Sequence, residues 1–182
     1  MSTTVPGYAG KFLRVDLTQG RTWEEKLEES TLKKHIGGLA LGAKYLYEEV
    51  DPKLPWNDPD NRLIIFTGPL EGTKVDGTGS FSVTAKGPIT GGAGCSQANG
   101  FFGAYLKFCG YDGIIIQGAA KDWVYLYIDE TGKAELKDAR HLVGKDTWET
   151  EDAIKAEVGK KEKQASVFSV GPAGENLVKF AA

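Results

Sequence analysis

FLRVDLTQGRTWEEK, residues Phe12–Lys26, alternates apolar and polar side chains through Leu17, turns at Thr18, Gln19 and Gly20, and resumes as a second run. Period-two alternation on either side of a glycine turn is the pattern of a β-hairpin with one buried face. The same grammar returns at WVYLYIDETGKAELKDA, Trp123–Ala139, with Gly132 at the turn. Each run is followed by a histidine and a glycine-broken entry into a helical pattern, HIGGLALGAKYLYEEV from His35 and HLVGKDTWETEDAIKAEV from His141. An apolar run ended by glycine and proline then follows in both places, RLIIFTGP at Gly68 and QASVFSVGP at Gly171, and is read as a strand each time. Landmarks in the same order, with slowly shrinking separations, are what two copies of one unit acquire through loop changes. The chain is therefore predicted to be an α+β domain, a duplicated unit giving two related β-sheets with a few helices rather than an alternating βαβ sheet. It is read as one domain over residues 1–182, with pseudo-repeats at about 10–80 and 122–182 joined by the segment 84–113.

Further elements follow from periodicity. A short helix precedes Gly37 and Gly38, and a longer one covers Leu39–Glu49. DPKLPWNDPD, Asp51–Asp60, is a loop because its prolines and acidic residues suit neither element. Leu63–Thr67, Ser80–Lys86 and the GIIIQ run from Gly113 read as strands. A length of 182 residues fits one core, and 41% apolar with 26% charged residues is ordinary for a globular chain. A formal charge of -3 without a basic cluster argues against nucleic acid and against anionic membrane. No apolar run reaches the roughly 18 residues of a membrane span, and MSTTVPGYAGKF lacks the pattern of a signal peptide, so the cytoplasm is expected. Cys95 and Cys109 have neither disulfide-scaffold nor zinc-site spacing, and His35 and His141 lack metal-ligand spacing.

The joining segment is unusual. TAKGPITGGAGCSQANGFFGAYLKFCGYDG, Thr84–Gly113, carries eight glycines in thirty residues and little charge. Three uses fit such a stretch. Exposed backbone N–H groups bind phosphate; glycines permit tight turns, with Phe101, Phe102, Tyr105 and Phe108 as core; or bare backbone offers a flat surface to a planar cofactor. FFGAYLKF has helical spacing, which sets the preceding amides at a helix N-terminus. Neither a Walker pattern nor GxGxxG is present. Lys86 and Lys107 read as solvated, and the four tryptophans, Trp23, Trp56, Trp123 and Trp148, as packing.

The ordered set KFLRVDLTQG, HIGGLALGAKYLYEEVDP, DNRLIIFTGPLEGT, KGPITGG, NGFFGAYLKFCGYDGIIIQG, VYLYI and VGPAGENLVKFAA resembles the N-terminal domain of the tungsten-containing aldehyde ferredoxin oxidoreductases, over essentially the whole chain. The resemblance implies a base of two related sheets carrying a tungsten bis-pterin, with molybdenum in some relatives, and a Mg2+ ion bridging the pterin phosphates. It also implies a [4Fe-4S] cluster with ligands outside this chain, ferredoxin or another electron-transfer subunit as partner, an aldehyde substrate, and homodimers in many members. The remaining catalytic domains would lie beyond this chain, which by itself is expected to be inactive and to hold no catalytic residue. Carried over position by position, the cofactor-binding residues are Gly79, Ser80, Phe81, Ser96, Gln97, Ala98, Asn99 and Gly100, and the backbone carbonyl of Gln97 is the metal ligand. Four positions depart from the family pattern: Ser80 stands where an arginine meets phosphate, Gln97 for asparagine, Asn99 for glycine, and Leu39 for the arginine of IGGRG. Serine cannot supply the bidentate, permanently charged contact of arginine. An aryl-CoA reductase-like member of the same superfamily and a non-catalytic stand-alone module are the alternatives.

Overall fold

The computed structural model describes residues 5–181. Its main sheet has six strands in the order β2-β1-β6-β3-β4-β5, where β1 is Lys11–Asp16, β2 Arg21–Lys26, β3 Leu63–Thr67, β4 Ser80–Lys86, β5 Ala93–Asn99 and β6 Gly113–Gln117. All neighbours are antiparallel except β1 and β6. The central strand β6 is the GIIIQ run, and burial on both faces explains its unbroken apolar character.

Two helices, α1 (Glu29–His35) and α2 (Gly38–Glu49), cover one face. That face is filled by Phe12, Leu32, Leu41, Tyr45, Ile64 and Phe66 among others. Rings of Phe12, Tyr45 and Phe66 meet at centroid distances of 5.1 to 5.7 Å, within the range of favourable aromatic pairs. Helix α2 lies so close to β4 that a Cβ at Gly42 would overlap the Thr84 side chain, so the glycines that weaken the helical pattern are what let it dock. Buried Arg14 of β1 reaches across this face to Glu25 and Glu49, and Arg62 joins Glu49 from the loop before β3.

The opposite face carries Leu13, Val15, Ile65, Phe81 and Ile114, against which helix α3 (Phe102–Phe108) packs through Leu106. A second sheet, the hairpin β7 (Val124–Ile128) with β8 (Ala134–Asp138), lies on the same side. A 3-10 turn at Arg140–Leu142 leads into α4 (Thr147–Glu157), which starts with a capping box between Asp146 and Glu149. The chain ends with a one-turn helix α5 (Pro172–Glu175), tied back where Glu175 accepts the Gly144 N–H. Between this second unit and the sheet face runs a cleft of about 1590 Å³, lined by Ile65, Val83, Leu106, Leu126 and Phe168 among others.

The α+β class, the two sheets and the sparse helices agree with expectation, and hairpin followed by helix occurs in both halves. Three local readings need correction. Residues 165–170, read as a strand matching β3, lie in no sheet, because a strand exists only with a hydrogen-bonding neighbour and none of the described residues lies alongside. Ala93–Asn99, read as part of a glycine platform, is the edge strand β5. Among the aromatics, Trp123 and Trp148, assigned to packing, and Phe101 and Phe108, offered as core, are exposed.

Asp112, in the turn between α3 and β6, joins four parts of the fold. Its carboxylate accepts the N–H groups of Ala9 and Gly10 at 3.0 and 2.7 Å and pairs with Lys107 of α3 at 2.5 Å. Its carbonyl accepts both the backbone N–H and the hydroxyl of Thr67 at the end of β3, and its own N–H donates to Lys11 of β1. Lys107 is thereby committed, and Lys86 is likewise buried with its ammonium on the Pro52 carbonyl, so neither is the solvated lysine the sequence suggests. Removing one partner of a buried pair leaves an uncompensated charge, which costs about 3–5 kcal/mol. Asp112→Ala is expected to lower unfolding free energy by that amount in chemical denaturation; a loss below about 1 kcal/mol would show that the clamp contributes little.

Candidate functional site

The eight residues assigned to cofactor binding all lie on β4, on β5 or, as Gly79 and Gly100, just before the one and just after the other, so the structure brings them into one region. It also divides them. In the β4–β5 register Ser80 faces Asn99, Phe81 faces Ala98, Ser82 faces Gln97 and Val83 faces Ser96. Side chains alternate between faces along a strand, and directly paired residues share a face. Ser82 and Thr84 lie against α2 at Gly38 and Gly42, so Ser80, Gln97 and Asn99 belong to that polar side. Phe81, Ala98 and Ser96 belong to the other side. Phe81 is buried there with its ring 5.0 Å from Phe102 and 5.5 Å from Phe168, and its side chain is core rather than ligand surface.

The backbone has a phase as well. The bonds from Gly100 N–H to the Gly79 carbonyl and from Gly87 N–H to the Gly92 carbonyl bracket the hairpin. In an antiparallel pair, hydrogen-bonded and non-bonded rungs alternate. Counting inward from either bracket, the Phe81–Ala98, Val83–Ser96 and Ala85–Gly94 rungs exchange bonds across the pair. Cys95, Gln97 and Asn99 occupy the other rungs, and their N–H and C=O groups point off the open edge of the sheet. This edge bears no charged residue from Ala93 to Asn99, whereas the opposite edge, β2, carries Arg21, Glu24, Glu25 and Lys26. Charge is a usual device for blocking an open edge, and β5 lacks it.

The side chains available on this edge are neutral: Ser80 is half-buried, while Gln97 and Asn99 are exposed. Such a set offers carbonyl oxygens to a hard cation and N–H groups to phosphate, without fixed positive charge. These groups would suit a phosphate-bearing ligand or a hard cation through backbone and amide contacts. Leu39, at the first turn of α2, is half exposed. Cys95 is exposed and Cys109 half-buried, both free, with burial and the charges of Asp129 and Glu130 holding the Cys109 thiol above its ordinary range. Among the described residues there is no cluster of three or more His, Cys, Asp or Glu able to hold a metal, and no helix is long and apolar enough to cross a membrane.

One residue at this edge was not legible in the sequence. Glu71, in the turn-rich run after β3, is buried with Oε2 accepting the Ser80 N–H at 2.9 Å. Its Oε1 is buried and has no hydrogen-bond partner among the described residues. Burial pushes the carboxyl above the ordinary glutamate range, offset in part by the Ser80 N–H and the charge of Lys107. The only local hint is Gly103, whose missing side chain leaves room for the carboxyl within helix α3.

A carboxyl that ionises at higher pH in the folded chain keeps its proton longer there than in the unfolded chain. Its contribution is then complete in acid and is lost as pH rises through the folded value. Glu71→Gln removes that loss. Its melting temperature is expected to match wild type below the ordinary glutamate range and to exceed it progressively above; a pH-independent difference would contradict the assignment.

Comparison with known proteins shows the family. Residues 12–182 match the family model described as aldehyde ferredoxin oxidoreductase, N-terminal domain. The chain is 47% identical over 176 residues to the tungsten-containing aldehyde ferredoxin oxidoreductase of Pyrococcus abyssi and 45% identical to that of Pyrococcus horikoshii, covering 97% of this chain and 28% of each relative. It is 38% identical over 188 residues to the aliphatic sulfonate oxidoreductase WOR-like subunit of Pyrococcus furiosus, covering 96% of this chain and 30% of that one. Among solved structures, the active site complex BamBC of benzoyl coenzyme A reductase with 1,5-dienoyl-CoA superimposes with a TM-score of 0.89 at 38% identity, over 93% of this chain and 26% of that one. The chain thus spans under a third of the length of these relatives, and it belongs to the aldehyde ferredoxin oxidoreductase family as an N-terminal domain.

Proposed function

We propose that this chain is the cofactor platform of a tungsten oxidoreductase that converts aldehydes to carboxylic acids and passes electrons through an iron–sulfur cluster to ferredoxin. The observation that carries the proposal is the uncharged open edge of β5, with the backbone groups of Cys95, Gln97 and Asn99 directed outward, in a chain 47% identical to a tungsten-containing relative. A bis-pterin of tungsten, or of molybdenum, supplies oxygen-atom and two-electron chemistry when bound.

This chain's part is binding and orientation. The Gln97 carbonyl would serve as a ligand to Mg2+, which depends on backbone and so tolerates the glutamine. The Ser80 hydroxyl and the Asn99 amide groups would receive phosphate, beside the closed Gly79–Gly100 rung. Because Ser80 brings no positive charge, the charge of the phosphates is left to Mg2+ and to the rest of the enzyme. Electron transfer and substrate contacts belong to domains beyond this chain, with the cluster's cysteines among them. The six-stranded sheet, which takes β4, β5 and β6 from residues 80–117 beside β1–β3, and the β7–β8 hairpin of residues 122–182 would together form the base. The apolar cleft between the second unit and the main sheet, and exposed Phe101, Phe108 and Phe180, suit a domain built to pack against further protein. A cytoplasmic homodimer is the expected form.

An aryl-CoA reductase-like role is the second reading, favoured by the close superposition on BamBC. The higher identity to aldehyde ferredoxin oxidoreductases places it second. Elemental and pterin analysis of the full-length protein from its native host tests the platform: tungsten or molybdenum is expected together with pterin. Absence of both metals from a folded, full-length preparation overturns the proposal.

A further inference from the structure

Glu71 has no part in the platform as described so far, yet it sits beneath it. It follows the end of β3, and its carboxyl is wedged between two elements of the site. On one side Oε2 accepts the N–H of Ser80, the first residue of β4. On the other a Cβ at Gly103 would stand only 2.9 Å from Cδ and 3.0 Å from Oε1, so the carboxyl fills the space that a side chain of α3 would take. The Ser80 N–H also lies 2.9 Å from the Thr78 carbonyl, but an acceptor two residues back closes a tight ring with a bent bond. Glu71 supplies the amide with an acceptor outside that tight ring. Next to this amide is the Gly79–Gly100 rung, the last bond of the β4–β5 pair, and beyond it α3 begins.

A buried carboxyl with one oxygen unpartnered is a costly way to hold a single amide. Apolar packing would stabilise the turn at lower cost but would leave the Ser80 amide with only the Thr78 carbonyl at the open end of the β4–β5 pair. Asn99 and Gln97 lie next to that end of the ladder, opposite Ser80 and Ser82.

We propose that Glu71 is a positioning residue for the β5 edge: held against Gly103, its carboxyl fixes the Ser80 amide and keeps the Gly79–Gly100 rung closed, so that Gln97 and Asn99 present their backbone groups in register. The ligand part of this proposal rests on the platform reading; the structural part does not. The charged group facing the carboxyl is Lys107 of α3, itself paired with Asp112, so it does not replace the Ser80 contact.

The test uses full-length protein with three substitutions. Glu71→Ala removes the acceptor, Gly103→Ala displaces the carboxyl while leaving it in the chain, and Glu71→Gln keeps an acceptor oxygen in place. Hydrogen exchange in peptides carrying Ser80 and Gly100 is expected to quicken at least about fivefold in the two alanine variants and to stay near wild type in the glutamine variant. Metal and pterin retained after dialysis should fall in the same two variants and recover in Glu71→Gln, a rescue that a general loss of packing would not produce. Unchanged exchange in both alanine variants overturns the proposal, as does faster exchange with metal and pterin retained as in wild type. If Glu71→Ala does not fold, Gly103→Ala decides alone. A wild-type protein holding neither metal nor pterin overturns the platform reading and the ligand part with it, while exchange still decides whether Glu71 holds the edge.

Discussion

The fold depends on a buried carboxylate at a junction where backbone groups from several elements have no regular partner. Asp112 lies between α3 and β6, where the chain leaves a helix and enters the central strand. At such a point the N–H groups of the incoming N-terminal segment and the end of β3 fall outside the ladder, and a buried polar group without a partner is expensive. One aspartate satisfies Ala9 and Gly10 through its side chain and Thr67 through its carbonyl, and Lys107 supplies the opposite charge. Two covered faces of the sheet, and therefore both of its edges, are set in place around this contact.

The edges then take different characters for a chemical reason. Strand β2 carries charges that keep it solvated and unpaired. Strand β5 carries glycine, alanine and small polar residues, which leave backbone groups accessible and let a flat group approach closely. Its partner β4 is held from beneath by α2, whose glycines bring the helix against Ser82 and Thr84. A rigid strand with an accessible edge is a better base for a cofactor than a flexible glycine loop, because geometry is fixed before binding and less order has to be gained with the ligand.

On the proposed reading, Ser80 and Asn99 mark positions where this chain would use a different balance from its relatives. Neutral groups take positions where the resemblance expects an arginine and a glycine. On that reading, binding through backbone groups would demand less of any one side chain and more of the strand that carries the backbone. Glu71, which touches Ser80 from inside the protein, bears on that demand directly.

Elements with a strong local period were legible in the sequence. The hairpin β1–β2 has alternation and a turn glycine, β3 and β6 are short apolar runs, and α4 announces itself through Asp146 and Glu149 three residues apart. Strand β5 was not legible: AGCSQAN has no apolar alternation, and it is a strand because β4 pairs with it along seven rungs. Residues 165–170 are the converse, an apolar run with strand composition and no neighbour to pair with. Sequence by itself determined the α+β class and the family, since both rest on patterns read over consecutive residues. Only the tertiary structure decided that Phe81 is core while Gln97 and Asn99 face outward, and that Glu71 and Asp112 are buried at junctions. Burial and hydrogen-bond pairing join residues far apart in the chain, and no local pattern records which ones will meet.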